Sequence, residues 1–133
     1  MHERFSWGRA CVEIEARPGY LHVVESGRLE SLDELRAYLR TLEDCIARTG
    51  LRRAIIDARG EEPGASRPDL VREMWRWLGS PAAFQKVAYV LPDPLAVARV
   101  NMTALAKRRP VRAFDNVPEA AAWLLRTTLL PTA

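Results

Sequence analysis

Near its start the chain alternates apolar and polar residues in a way that suits a strand. Val12, Ile14 and Ala16 are separated by Glu13, Glu15 and Arg17. This period of two turns one face to a core and the other to water. Phe5 and Trp7 are placed as an extension of the same strand. Pro18-Gly19 is a turn dipeptide, Pro fixing φ and Gly accepting positive φ. Tyr20 to Glu25 follows as a second strand, with Leu21 and Val23 on one side. The two predict an antiparallel hairpin.

The period then lengthens. Leu32, Leu35, Leu39, Leu42 and Ile46 recur at steps of three and four, a single apolar stripe on a helix. Ser31-Leu32-Asp33-Glu34 is a capping box at its start, and Gly50 is its stop. Ala54-Ile55-Ile56, closed by Asp57, is a short continuous apolar run that suits a strand covered on both faces. Residues 59–66 read as a loop. Pro68 opens a second helix, where its missing N–H costs little. Leu70, Val71, Met74, Trp75, Trp77 and Leu78 fall in one broad arc of that helix, and Trp75 and Trp77 are assigned to the core. Val87 to Leu91 is a further buried strand, a third helix runs from about residue 95 to 107, Val111 to Phe114 is the last strand, and Pro118 opens a final helix carrying Trp123 and Leu124.

The predicted order is β-β-α-β-α-β-α-β-α. Strands alternating with helices imply an α/β fold with a mixed sheet: an N-terminal antiparallel hairpin followed by parallel strands joined through right-handed βα crossovers. At 133 residues the whole chain, 1–133, is expected to form one domain.

Composition narrows the function classes. Hydrophobic residues are 48% and charged residues 28%, the balance of a globular protein rather than a disordered one. No apolar run is long enough to span a membrane, and Met1 to Cys11 lacks the apolar core of a secretory signal, so a cytoplasmic protein is expected. The net charge is +3, but the cations are dispersed. The one dense run, Lys107-Arg108-Arg109, ends a predicted helix, where it complements the helix dipole, and nucleic acid is not expected as a partner. Cys11, Cys45, His2 and His22 have no zinc-ligand spacing. No metal, cofactor or catalytic residue is assigned.

Candidate chemistry gathers where strands end, since sites in parallel sheets lie beyond the C-terminal strand ends. Asp57, Asp93 and Asp115 each follow a strand. Together they would make a divalent-cation site for a hydrolase; singly, Asp93 and Asp115 are turn residues or helix caps. Asp57, ending a buried strand, needs a partner, which Arg59 or a backbone amide would provide. Ser66, just before the second helix, reads either as an N-cap or as a phosphorylation site at a helix N-terminus. The third helix is apolar on two sides: Leu95, Ala98, Met102, Leu105 and Ala106 on one, Val97, Val100 and Ala104 on the other. A helix apolar on two sides is either deeply buried within the domain or meets something beyond its own sheet, a neighbouring helix, a second subunit or an apolar ligand.

The hairpin before a Leu-striped helix, Arg53 to Gly60, Lys86 to Val90, and Arg112-Ala113-Phe114-Asp115-Asn116-Val117-Pro118-Glu119-Ala120-Ala121-Ala122-Trp123-Leu124 together resemble the SpoIIAA-like, or STAS, family. Its less-characterised SpoIIAA-like branch is the more similar one, and resembles Sec14-type lipid-binding domains in layout. The resemblance implies a non-catalytic regulatory module that binds a protein partner. The family's Asp-Ser-Ser-Gly type phosphoswitch motif is replaced here by Gly60 to Asp69, with only Ser66 near the switch position. The leading expectation is a regulatory or protein-binding module, also as a homodimer, with contacts from Asp57, Arg59, Ser66, Asp93, Val97, Val100 and Ala104. The alternatives are a carrier or sensor of a small apolar ligand held beside Trp and Met side chains, and a metal-dependent enzyme using the strand-end aspartates.

Overall fold

The computed structural model describes residues 1–62 and 67–126. Six strands form one sheet in sequential order: β1 His2–Trp7, β2 Ala10–Arg17, β3 Tyr20–Gly27, β4 Arg53–Glu61, β5 Lys86–Val90 and β6 Val111–Phe114. The pairs β1·β2 and β2·β3 are antiparallel; β3·β4, β4·β5 and β5·β6 are parallel. Four helices follow the parallel strands: α1 Leu32–Thr49, α2 Pro68–Leu78, α3 Pro94–Lys107 and α4 Val117–Leu124. The mixed α/β architecture is the one expected, with one strand more. Phe5 and Trp7 do not extend β2. They belong to β1, which folds back on β2 through Gly8-Arg9, with Trp7 opposite Ala10. Gly8 has φ 57, a conformation open to glycine that lets two residues reverse the chain.

The larger core lies on the face carrying α1. Val12 and Ile14 of β2, Leu21 and Val23 of β3, Ala54 and Ile56 of β4 and Val87 of β5 meet Leu35, Tyr38, Leu39, Leu42, Cys45 and Ile46 of α1. Ser31 caps α1 by accepting from the Glu34 N–H at 3.1 Å, and the Glu34 carboxylate accepts from the Glu30 N–H at 2.7 Å. The opposite face is covered by α4, where Ala120 and Leu124 pack on Tyr20, Ile55, Ala88 and Val90. Lys86 and Arg53 donate to the carbonyls of Trp123 and Leu124 at 2.8 and 3.0 Å, which satisfies the free C-terminal end of that helix.

Two placements bear on function. First, α2 is held mainly by its last turn. Trp77 and Leu78 are buried, with Trp77 edge-on to Phe84 and donating to Glu43 at 2.7 Å. Leu70, Met74 and Trp75 are only half-buried and Val71 is 42% exposed. Second, α3 lies along the β6 edge. Asn101 accepts from the Ala113 N–H at 2.7 Å and donates to the Ala113 carbonyl at 3.2 Å. One side chain thus occupies the backbone groups that the edge strand would otherwise leave unpaired. Replacing Asn101→Ala removes both bonds and is expected to destabilise the fold by about 1–3 kcal/mol. Amide exchange at Ala113 should accelerate selectively. Chemical denaturation and hydrogen exchange measure the two effects, and unchanged exchange at Ala113 would contradict this role for Asn101.

Candidate functional site

The pairing of β3 with β4 slips partway along. Val24 lies opposite Asp57, but Ser26 lies opposite Gly60 and Gly27 opposite Glu61. Two steps on β3 therefore match three on β4, a bulge that reverses the alternation of β4. Ala58 and Glu61, which strict alternation would put on opposite faces, both end up on the face of Glu25. Gly60 permits this approach: a Cβ there would come within 2.9 Å of the Glu25 carbonyl oxygen, closer than a side chain tolerates.

Above the bulge is a cleft of about 590 Å³ at the C-terminal ends of β3, β4 and β5, roofed by the N-terminal half of α2. Its size is typical of small-molecule sites. Leu70, Met74, Trp75 and Leu78 of α2, Leu35 of α1 and Val100 of α3 supply apolar walls. The floor is polar and formed by Glu25, Tyr38, Glu61 and Tyr89, and Arg28, Glu30, Glu62 and Arg67 stand around it. Among the described residues lining the cleft there is no Ser, Cys, His or Lys.

The floor has one unusual group. Glu25 is 8% exposed and accepts a short hydrogen bond from the Tyr38 hydroxyl. Burial, and then the neighbouring Glu61 carboxylate within hydrogen-bonding reach, push the Glu25 carboxyl well above the ordinary range, against the opposing pull of the Tyr38 hydrogen bond. Two carboxyl groups in contact require a proton between them. The proton belongs to Glu25, since Glu61 is exposed. Burial and then Glu25 raise both Tyr38 and Tyr89, so both phenols stay neutral.

The residues singled out in the sequence are not brought together. Asp57 and Arg59 lie on the opposite face from the cleft. Asp57 accepts from Arg59 Nε at 2.9 Å, Nη2 at 2.8 Å and the Arg59 N–H at 3.1 Å, so it has both of the partners expected for it. Burial alone would raise this carboxyl, but the Arg59 bonds and charge outweigh it and hold it below the ordinary range. Asp93 caps α3 by accepting from the Ala96 N–H at 2.8 Å, and Asp115 accepts from Asn116 at 2.8 Å. The metal-dependent reading is therefore corrected: each aspartate has its own local partner, and among the described residues no group of three or more ligating side chains converges on a metal position. Ser66 lies outside the described residues.

The assignment of the α3 faces is corrected as well. Val97, Val100 and Ala104 turn toward the fold. Ala104 is 3% exposed, Val100 lines the cleft, and Val97 borders a smaller hollow of about 300 Å³ beside Asp115. The outward face carries Leu95, Met102 and Leu105, which are 60%, 72% and 82% exposed. Asn101 decides the orientation, because its amide can reach the β6 backbone only with that side turned inward.

Glu25, Glu61, Tyr38 and Tyr89 were not assigned from the sequence. A signal for Glu25 was present: it continues the Leu21, Val23 alternation, a carboxyl on a core face.

Because a raised carboxyl pKa means that the unfolded chain gives up its proton first, stability attributable to Glu25 is greatest below the ordinary Glu range and declines as pH rises through the raised value. Glu25→Gln, which keeps an acceptor for Tyr38, should be more stable than the native chain at pH 8 by about 1–3 kcal/mol, with the gap closing toward pH 4. Denaturation at the two pH values checks this, and a gap that widens toward acid would contradict it.

No family model matches the sequence, and no curated protein matches it. Among solved structures, an uncharacterised protein of the DUF3478 family with a SpoIIAA-like fold from Shewanella loihica PV-4 is similar over 93% of this chain and 95% of its own, at 18% identity and a TM-score of 0.61. An anti-sigma factor antagonist from Mycobacterium paratuberculosis is similar over 88% of this chain and 95% of its own, at 17% identity and a TM-score of 0.57. The fold of this chain is SpoIIAA-like.

Proposed function

We propose that this chain is a non-catalytic binding module of SpoIIAA-like fold whose cleft takes up a small apolar molecule beneath α2. The observation that carries the proposal is the cleft itself, about 590 Å³ of space walled by Leu70, Met74, Trp75 and Leu78. A helix with that much apolar surface normally closes on its sheet. Here it is buried only at Trp77 and Leu78, which leaves room for a guest to complete the core. Native mass spectrometry of the chain purified from cells tests the reading. The expected result is a bound small molecule, lost in Val100→Trp, which fills the cleft. Spectra that stay empty under gentle desolvation would count against it.

A second reading is favoured by the outward face of α3. Leu95, Met102 and Leu105 present an apolar strip on a helix without acidic residues, and the similarity in fold to an anti-sigma factor antagonist supports a protein partner. If that partner is a second copy, the chain should sediment as a dimer at micromolar concentration and as a monomer after Leu105→Glu. A native chain that is strictly monomeric would remove the homodimer. Among the described residues no helix is long and apolar enough to cross a membrane.

A further inference from the structure

We infer that the cleft selects a cationic amphiphile: a molecule with a single protonated amine that reaches Glu25 and Glu61 at the floor and an aliphatic tail that lies against α2. The inference rests on the cleft being a ligand site, as proposed above, and adds the chemistry of the ligand's head.

The floor has more acceptors than donors. Glu25 and Glu61 offer four carboxyl oxygens, and the one described donor to either is the Tyr38 hydroxyl. Among the described residues no Arg or Lys forms an ion pair with Glu25 or Glu61. Among the described residues the rim charges Arg28 and Glu30 form no ion pair but are opposite in sign, and the other two have partners. Arg67 is bound to Asp69 at 2.6 Å, and Glu62 to Arg9 at 2.8 Å. The uncompensated position is therefore the floor, where a nearly buried carboxyl is held by its proton instead of by a cation. An ammonium group would take that proton's place, donate to both carboxylates and sit among the rings of Tyr38, Tyr89 and Trp75, surroundings that suit a cation. On binding, the N⁺–H donors replace the proton shared by the two carboxyls, and that proton leaves to solvent.

The test compares three ten-carbon probes by calorimetry on the full chain: decylammonium, decanol and decanoate. Decylammonium is expected to bind roughly 10- to 100-fold more tightly than decanol, and decanoate more weakly than either. Shortening the amine should cost about fourfold per methylene. Affinity for the amine should rise with pH above the ordinary glutamate range as Glu25 gives up its proton. The groups facing Glu25 are Tyr38 from α1, Glu61 from β4 and Tyr89 from β5, with Asp57 acting on it through the sheet from the opposite face, and both phenols stay neutral. Glu25→Gln and Glu61→Gln should each lose the preference for the amine over decanol; the native chain's ranking of the probes decides the matter even if a variant fails to fold. Equal binding of the three probes, or preference for decanoate through Arg28 and Arg67, would overturn the assignment of the head group and leave the cleft reading standing. Failure of all three to bind would overturn both.

Discussion

Desolvation of one carboxyl group governs the functional end of this molecule. A carboxylate taken out of water must find a cation, a set of donors or a proton. Glu25, at the end of β3, finds one donor in Tyr38 and a second carboxyl in Glu61. Sharing a proton is the arrangement that remains. That state is less favourable than a charge-paired one, and it is tolerated because the surrounding fold fixes it. The β3·β4 slip brings Glu61 onto the face of Glu25, Gly60 lets the strands approach, and Tyr38 is locked into the buried stripe of α1.

The cleft follows from how α2 is attached. Its last turn is fixed by Trp77 and Leu78, while its first turns have apolar side chains with space between them and the sheet. The two features are complementary: apolar walls lower the local polarity, and that keeps the carboxyl pair protonated and strengthens any charge-assisted bond a guest could make there. Asp57 on the other face is the contrast. It is equally shielded, yet its neighbour two residues on is Arg59, and the bidentate pair they form leaves nothing for a ligand to satisfy.

Much of the architecture was legible in the sequence because it rests on local rules. The α1 stripe with Ser31 and Gly50, the prolines opening α2 and α4, and the alternation in β2 and β3 each point to one element. What escaped depends on contacts distant in sequence. Gly8-Arg9 is an inconspicuous turn until Trp7 is seen to pair with Ala10. The two apolar faces of α3 are equivalent by periodicity, and only the bonds of Asn101 to the β6 edge choose between them. The cleft was half legible. Glu25 breaks a core-facing alternation, but Glu61 reaches the same face through a bulge that no periodic reading of β4 anticipates. The aspartates drew attention because they end strands, and each is satisfied by residues close by in the chain.

The shared proton is the premise beneath the whole account, and carbon-13 NMR titration of the glutamate side-chain carboxyls observes it directly. The Glu25 resonance should titrate well above the ordinary glutamate range near pH 4.3. If Glu25 instead titrates together with the surface glutamates, its carboxyl is solvated or charge-paired, and the floor of the cleft is not the site described here.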